Sequence, residues 1–228
     1  SYEVEIDGSD NPNILFQLMG VDSGLYFTKW SGVAWVDAND VAGKDTMAGA
    51  GAGTGQLSLD GSDNPFVSWY DNIGGNVYFT KWDGGGDDRW EGMDNVAGNQ
   101  TVDNVNAGSV YGLELTTAGM PHITWQKTTS LYETHWDSVD GRFEKMDTTA
   151  GIDTIVLPHA NVQNVSLTLD TTDLPYLMWE SDNNGDTFHE KVYLTHWDSA
   201  QWGTMGGVAG NEELSALDGS GLKQYQNS

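Results

Sequence analysis

The strongest constraint on this chain is an internal repeat. The heptapeptide Ile-Asp-Gly-Ser-Asp-Asn-Pro at 6–12 returns as Leu-Asp-Gly-Ser-Asp-Asn-Pro at 59–65, with weaker copies at 115–121 and 169–175 and a half-copy at 217–221. The prolines that end the four copies lie 53, 56 and 54 residues apart. A period of this length predicts an array of similar structural units.

A second motif repeats in fixed register with the first. Tyr-Phe-Thr-Lys-Trp at 26–30 is identical to 78–82, and Tyr-Glu-Thr-His-Trp at 132–136 and Tyr-Leu-Thr-His-Trp at 193–197 are its later forms. A further aromatic residue follows in every unit, and Val-Ala-Gly or Thr-Ala-Gly begins six residues beyond it. These β-branched and aromatic stretches, separated by clusters of Gly, Asn, Asp and Ser, predict four short strands per unit and no sustained helical period.

Four strands in a unit of about 50 residues are typical of a β-propeller blade. The sequence therefore predicts an all-β propeller of four blade repeats, approximately 4–56, 57–112, 113–166 and 167–213, with 214–228 as a spare C-terminal strand and tail. The segments 4–6 and 214–217 read as the same strand. Three closures stay open: the C-terminal strand completes the first blade of a four-bladed ring, the chain is part of a larger ring, or self-association completes the ring.

The repeated Leu-Asp…Asn-Pro and Tyr-x-Thr-x-Trp-Asp-Gly pattern resembles the repeats of bacterial and archaeal secreted or surface propellers called sialidase-like, over nearly the whole chain. In the fourth unit, Ser-Asp-Asn-Asn-Gly-Asp-Thr-Phe at 181–188 is similar to the Asp-box of sialidase-type propellers, which the other units lack. The Trp-Asp-Gly stretches are more loosely similar to propeller lectins. The resemblance implies an extracellular or cell-surface protein, although no signal peptide stands in this numbering.

Composition excludes several classes of function. The chain has 34 acidic against 9 basic residues and a formal net charge of −25, which disfavours nucleic acids and anionic membranes as partners. No apolar run approaches the ~20 residues that span a bilayer, so membrane insertion is not expected. The absence of cysteine excludes a disulfide framework and cysteine-ligated metals.

Clustered carboxylates make calcium the one expected cofactor. The repeated aspartates of the first motif are either calcium ligands or caps of tight turns; they are Asp7, Asp10, Asp60 and Asp63. The long loop of the fourth unit is the better candidate, with Asp182, Asn183, Asp186 and Glu190 within nine positions. His135 and His196 share one repeat position, either as ligands of a transition metal or as long polar side chains that reach solvent.

Two sets of equivalent aromatic residues are candidates for ligand binding. The set in the second motif comprises Trp30, Trp82, Trp136 and Trp197, and the set that follows it comprises Trp35, Trp90, Phe143 and Trp202. If exposed, such residues stack on sugars and form repeated weak sites; if buried, they are the packing layer between units. Burial is the expectation for the first set, and the second set lies beside glycine-rich loops and is the better candidate for exposure.

These observations predict a non-catalytic binding module that recognises a glycan or a surface partner through repeated loops and aromatic residues. An alternative is a structural segment of a larger surface assembly. A degenerate sialidase-like hydrolase is the second alternative. Sialidases hold the substrate carboxylate with three arginines, whereas this chain has only Arg89 and Arg142, which argues against this alternative. The near-equivalence of the units also argues against a catalytic centre, which is normally asymmetric.

Overall fold

The computed structural model describes residues 2–84, 86–104, 108–127, 130–155, 157, 162–181 and 191–214. Over these residues the chain is all-β, and its strands form four antiparallel sheets of five strands each, numbered 1–4 along the chain. The prediction of an all-β repeat fold is thereby confirmed. None of the described residues belongs to a helix long and apolar enough to cross a bilayer.

The strands follow the chain without crossing between sheets. Sheet 1 contains β1 (Tyr2–Ile6), β2 (Pro12–Leu18), β3 (Gly24–Trp30), β4 (Trp35–Val36) and β5 (Asp45–Ala48). Sheet 2 contains β6 (Ala52–Leu59), β7 (Pro65–Asp71), β8 (Val77–Asp83), β9 (Arg89–Glu91) and β10 (Gln100–Asp103). Sheet 3 contains β11 (Ser109–Leu115), β12 (Pro121–Lys127), β13 (Ser130–Asp137), β14 (Arg142–Glu144) and β15 (Asp153–Ile155). Sheet 4 contains β16 (Val162–Leu169), β17 (Pro175–Ser181), β18 (Lys191–Trp197), β19 (Trp202–Gly203) and β20 (Glu212–Glu213).

Each sheet has five strands where the sequence predicts four. The first three strands form a meander, and the fourth and fifth both pair with the third, one at each end of it. The fourth and fifth strands together form one outer strand that a turn interrupts. In sheet 1 the Asp37 carboxylate stabilises this turn by accepting the N–H groups of Asn39 and Val41, both at 2.9 Å. The predicted boundaries at 56/57, 112/113 and 166/167 fall inside β6, β11 and β16, so each sheet begins a few residues before the corresponding unit.

The first repeat motif forms the turn between the first two strands. Asp7 Oδ1 accepts the N–H groups of Ser9 at 2.9 Å and Asn11 at 2.8 Å, and Asp60 caps the next copy in the same way. The hydrogen bond from the Asn11 N–H, together with that from Ser9, lowers the pKa of the Asp7 carboxyl. The proline that follows begins the second strand, where a missing ladder donor is tolerated.

The threonine of the second motif explains why that motif recurs with a distant Ala-Gly. Thr80 is fully buried, and its hydroxyl lies 3.1 Å from the carbonyl oxygen of Glu91 and 3.2 Å from that of Gly98. Thr28, Thr134 and Thr195 make the same pair of contacts in the other sheets. We call this contact the threonine clamp, because it joins the third strand to both sides of the broken outer strand.

The sheets pack face to face in chain order, which gives three apolar cores. The core between sheets 1 and 2 includes Leu15, Leu25 and Phe27 against Leu57, Val67 and Trp69. The core between sheets 2 and 3 includes Phe66, Val77 and Phe79 against Val110, Leu113, Ile123 and Trp125. The core between sheets 3 and 4 includes Leu131 and Ile155 against Val165, Leu167, Leu177 and Trp179. Sheets 2 and 3 thus each offer one face to the sheet before and the other face to the sheet after, whereas sheets 1 and 4 each take part in one of these cores.

The first strands of the four sheets meet around a polar cavity of about 450 Å³. β1 lies against β6, β6 against β11, and β11 against β16. Glu3, Glu5 and Glu114 line this cavity, and burial together with the charge of Glu5 raises the pKa of Glu114. The arrangement is compatible with the predicted propeller. Sheet 1 has its own first strand, and the predicted spare strand lies outside the described residues apart from Leu214.

Candidate functional site

Neighbouring turns of the first motif are joined by a hydrogen bond between sheets. The Gly8 N–H of sheet 1 donates to Asp63 Oδ1 of sheet 2 at 2.9 Å. Between sheets 3 and 4, the Thr117 N–H donates to Asp173 Oδ1 at 2.9 Å, and the Thr117 hydroxyl donates to Asp173 Oδ2 at 2.7 Å. We call this contact the inter-sheet latch. It ties the turn end of one sheet to that of the next.

The latch is missing between sheets 2 and 3. Gly119 stands where sheets 2 and 4 have aspartate, so among the described residues no carboxylate accepts the N–H of Gly61, which corresponds to Gly8 and Thr117. The φ of Gly119 is 75°, close to the 65° of Asp63 and of Asp173. The turn therefore keeps its shape and loses only the side chain that would close the gap.

This gap forms an open cavity between sheets 2 and 3. It measures about 790 Å³, whereas the corresponding space between sheets 1 and 2 measures about 360 Å³. We call it the 2/3 cleft. Its lining includes Asp60, Asn64, Lys81, Trp82, Asp83, Met93, Asp94 and Asn95 from sheet 2, and Ala118, Gly119, Met120, Trp136 and Ser138 from sheet 3.

The polar groups at the mouth of the 2/3 cleft are held in place by the turn. Asp60 accepts the Asn64 N–H at 2.9 Å and the Asn64 side-chain amide at 3.1 Å. A Cβ at Gly84 would collide with the Asn64 side-chain oxygen, so a larger residue there would displace the Asn64 amide. The turn's own hydrogen bonds therefore fix the conformations of these groups, which form a polar rim at the mouth of the cleft.

Lys81 is the cationic group of the cleft. Its ammonium lies 2.7 Å from Glu91 Oε1, and the Arg89 guanidinium lies 3.3 Å from the other oxygen of that buried carboxylate. The Lys81 charge is therefore balanced within sheet 2. With three aspartates also in the lining, the cleft carries a negative field.

The two arginines do not share a site. Arg89 pairs with Asp87 at 2.6 Å as well as with Glu91, and Arg142 occupies the equivalent place in sheet 3, with Asp140 at 2.6 Å and Glu144 at 3.2 Å. Each guanidinium is thus engaged by carboxylates of its own sheet.

Most of the candidate aromatic residues are packing residues. Trp82, Trp136 and Trp197 are buried and Trp30 is half-buried, as expected for the first set. In the second set Trp90, Phe143 and Trp202 are half-buried, and only Trp35 is exposed, at 44%. In each sheet the member of the first set packs edge to face against the member of the second set, with ring centres 5.2–5.9 Å apart. Trp82 and Trp136 therefore form walls of the 2/3 cleft and offer it only a small surface.

The structure gives the repeated aspartates two structural roles. Asp7 and Asp60 cap turns, and Asp63 forms a latch; Asp10 has the same left-handed backbone, with a φ of 63°. Among the described residues, no group of three or more His, Asp or Glu side chains is arranged to hold a metal ion. The loop candidates Asp182, Asn183, Asp186 and Glu190 lie outside the described residues.

The two histidines of the shared repeat position lie in different sheets and in different surroundings. His135 is half-buried, with its Nε2 3.9 Å from Glu144, and His196 has its Nδ1 3.1 Å from the Gly203 carbonyl oxygen. The position holds Lys29 and Lys81 in the other sheets, where each pairs with a carboxylate. Its shared property is a long polar side chain beside the outer strand.

Sequence reasoning did not find a buried acid–base pair in sheet 3. His122 Nδ1 lies 2.8 Å from Glu133 Oε1, and both side chains are buried on the face toward sheet 4. Burial lowers the pKa of His122 to about 4 and raises that of Glu133 well above its usual value. Phe66 and Phe79 occupy these two positions in sheet 2, so the only signal in the sequence is a departure from the repeat.

No protein-family model matches the chain, and no curated protein matches it either. The similarity of the repeats to sialidase-like propellers and to propeller lectins therefore stays a prediction from the motifs. The 2/3 cleft is the feature on which a function can be argued from geometry.

Proposed function

We propose that the four sheets are blades of a β-propeller and that the 2/3 cleft binds a neutral saccharide without catalysing a reaction on it. The observation that carries the proposal is Gly119: where the repeat supplies a latch elsewhere, this one junction is left open and holds a cavity of about 790 Å³. That volume lies within the range of ~300–1,000 Å³ that small-molecule sites occupy.

The chemistry of the lining suits a ligand rich in hydroxyl groups. Carboxylates and amide oxygens accept hydrogen bonds, while the Asn64 and Asn95 amides can donate them. The Gly61 N–H, next in the chain to the lining residue Asp60 and without an acceptor among the described residues, is a further donor. The edges of Trp82 and Trp136, with the methionines, supply apolar surface for the C–H faces of a sugar ring. A hydroxyl both donates and accepts, so it can satisfy this mixed rim.

The charge of the cleft selects against anionic ligands. Asp60, Asp83 and Asp94 line it, the one lysine is balanced by Glu91, and the whole chain carries a formal charge of −25. A carboxylated or sulfated sugar would meet like charges without a free cation to bind it. The proposed ligands are therefore uncharged saccharides, which also separates this proposal from a sialic acid site.

The test is a glycan array that displays neutral, sialylated and sulfated saccharides, probed with three forms of the chain. Gly119→Asp places the repeat's own latch residue at a position whose backbone conformation aspartate adopts elsewhere in the chain, and no atom lies within 4 Å of the new Cβ. It should accept the Gly61 N–H, close the cleft and abolish binding. Gly207→Asp is the matched control, because its φ of 74° and open surroundings are the same and it lies in sheet 4.

The expected result is binding to neutral saccharides by the wild type and by Gly207→Asp, with loss of binding by Gly119→Asp. Absence of any saccharide signal, or equal binding by all three chains, would overturn the proposal. Turnover of a fluorogenic glycoside by the purified chain would contradict the non-catalytic part. The extracellular or surface location is proposed on the resemblance of the repeats, and fractionation of source cells with an antibody against this chain tests it.

A further inference from the structure

The first and last sheets each have one apolar face that no other described sheet covers. On sheet 1 this outer face is formed by Tyr2, Val4, Ile6, Ile14, Phe16 and Trp35. Tyr2 is 78% exposed and Val4 50%, whereas Leu57, which occupies the position of Val4 in sheet 2, is 5% exposed because sheet 1 covers it. The outer face of sheet 1 thus has the residues of an inter-sheet core without the neighbour that would complete it.

Sheet 4 carries the opposite half. Its outer face is formed by Tyr176, Met178, Val192 and Leu194. Met178 is 43% exposed, and Val192 and Leu194 are half-buried. The residues at the positions of these three in sheet 1 are Leu15, Leu25 and Phe27, which are completely covered by sheet 2.

Sheets 1 and 4 also carry the two residues that a further inter-sheet latch would need. Asp10 of sheet 1 corresponds to Asp63 and Asp173, has the same left-handed backbone and is exposed. Among the described residues no N–H donates to its carboxylate. Thr171 of sheet 4 corresponds to Gly8 and Thr117, the residues that donate in the two latches that are formed. Sheet 1 therefore carries the acceptor of a latch, and sheet 4 carries the corresponding donor.

We infer that the outer face of sheet 1 binds the outer face of sheet 4 of a second copy of this chain, head to tail. The occupant is argued from the molecule itself: three inter-sheet interfaces already join these same two kinds of face in this same order, and two of them carry the latch. No comparable contact joins β1 to β16 among the described residues, so one chain leaves both faces open.

The geometry of this contact determines what it can build. The two faces differ, so the interface is heterologous, and copies joined through it form either a closed ring or an open filament. Two copies that close on each other satisfy both outer faces of both chains. The inference does not depend on the saccharide proposal, because the 2/3 cleft lies between inner faces.

The charge of the chain gives the association a salt dependence. Each copy carries a formal charge of −25, which opposes the approach of two copies. The apolar contact does not weaken with added salt, whereas the repulsion is screened over about 8 Å at physiological ionic strength and over less at higher salt. Association should therefore strengthen as sodium chloride is raised, opposite to the behaviour of a complex held by ion pairs.

The first experiment measures molar mass by sedimentation and light scattering across the micromolar range at low and high salt. The wild type should associate, and more strongly at high salt. Val4→Glu places a charge in the contact and should weaken association on the order of tenfold or more. Val139→Glu makes the same change at a valine in a turn of sheet 3 that is 91% exposed, and should leave association unchanged. A wild type that remains monomeric at every concentration and salt overturns the inference.

The second experiment uses the absence of cysteine in the chain. Asp10→Cys and Thr171→Cys are prepared as separate single variants, mixed and oxidised. A disulfide-linked pair of chains should form faster in the mixture than in either variant alone, because only the mixture brings the two halves of the latch together. Equal rates contradict head-to-tail pairing. A double variant that forms its disulfide only within one chain would show instead that sheets 1 and 4 of one molecule meet, and would also overturn the inference.

Discussion

Replacing Thr80 by valine removes one hydroxyl from the threonine clamp and almost nothing else. Valine has the shape of threonine and suits a strand at least as well, so no cavity is formed. The hydroxyl lies 3.1 Å and 3.2 Å from two carbonyl oxygens, those of Glu91 and Gly98, at a fully buried position. The change therefore isolates the contribution of the clamp to stability.

The magnitude follows from the number of hydrogen bonds. A hydroxyl has one hydrogen, so it donates to one of the two carbonyls at a time. Losing one net hydrogen bond costs about 0.5–1.5 kcal/mol, and leaving a buried acceptor without a partner adds to this, up to about 3 kcal/mol in all. We expect Thr80→Val to lower the free energy of unfolding by about 1–3 kcal/mol. For a chain of this length that corresponds to a drop in Tm of about 2–4 °C per kcal/mol.

The assay is equilibrium unfolding in urea, followed by tryptophan fluorescence, with a thermal scan alongside. Thr101→Val is the matched control, because Thr101 lies exposed in β10 and should change stability by no more than about 0.5 kcal/mol. Thr28→Val, Thr134→Val and Thr195→Val should each behave like Thr80→Val. If Thr80→Val were as stable as Thr101→Val, the clamp would not be what conserves the spacing of Thr and Ala-Gly within the repeat.

Two further predictions concern the buried pair and calcium. Because the folded-state pKa of His122 is lowered to about 4, the stability that neutral His122 contributes is fully present above pH 6.5 and is lost as pH falls toward 4. In Glu133→Gln only the histidine of the pair titrates, so the free energy of unfolding should fall by about 3 kcal/mol between pH 7 and pH 4, relative to the double variant His122→Phe with Glu133→Phe. Parallel pH profiles of the two variants would refute this. For calcium, chelator should lower the Tm of the wild type and not that of Asp186→Asn, whereas a wild type indifferent to chelator would remove the calcium hypothesis.

Much of the fold could be predicted from the repeat motifs because many of the repeated residues have a local role. Aspartate at position 7 or 60 caps its own turn, and the following proline starts a strand, so both could be predicted from neighbouring residues. The division of the outer strand could not, since it depends on Thr80 reaching a carbonyl 18 residues away. The sequence showed the spacing of that contact but not the contact.

The site depends on relations between sheets, which a single sequence does not display. Gly119 is visible as a departure from the repeat, but its consequence, an open cleft, appears only once the latches between the other sheets are seen. The half-burial of Trp90 and the exposure of Trp35, its equivalent in sheet 1, have the same cause: Trp90 packs against the core shared with sheet 1, and no described sheet covers Trp35. Equivalent positions in a repeat differ whenever their neighbours differ, and the sequence left the neighbours of the terminal units open.

The position of the saccharide site is tested most directly by amide and indole NMR spectra of the chain during titration with a neutral saccharide. We expect shift changes concentrated at the Gly61 and Gly119 amides and at the indole N–H groups of Trp82 and Trp136. In Gly119→Asp, the Gly61 amide should already be shifted before ligand is added and should no longer respond to it. Shift changes centred on another junction or on the outer faces of sheets 1 and 4, or an unaltered response in Gly119→Asp, would contradict the account.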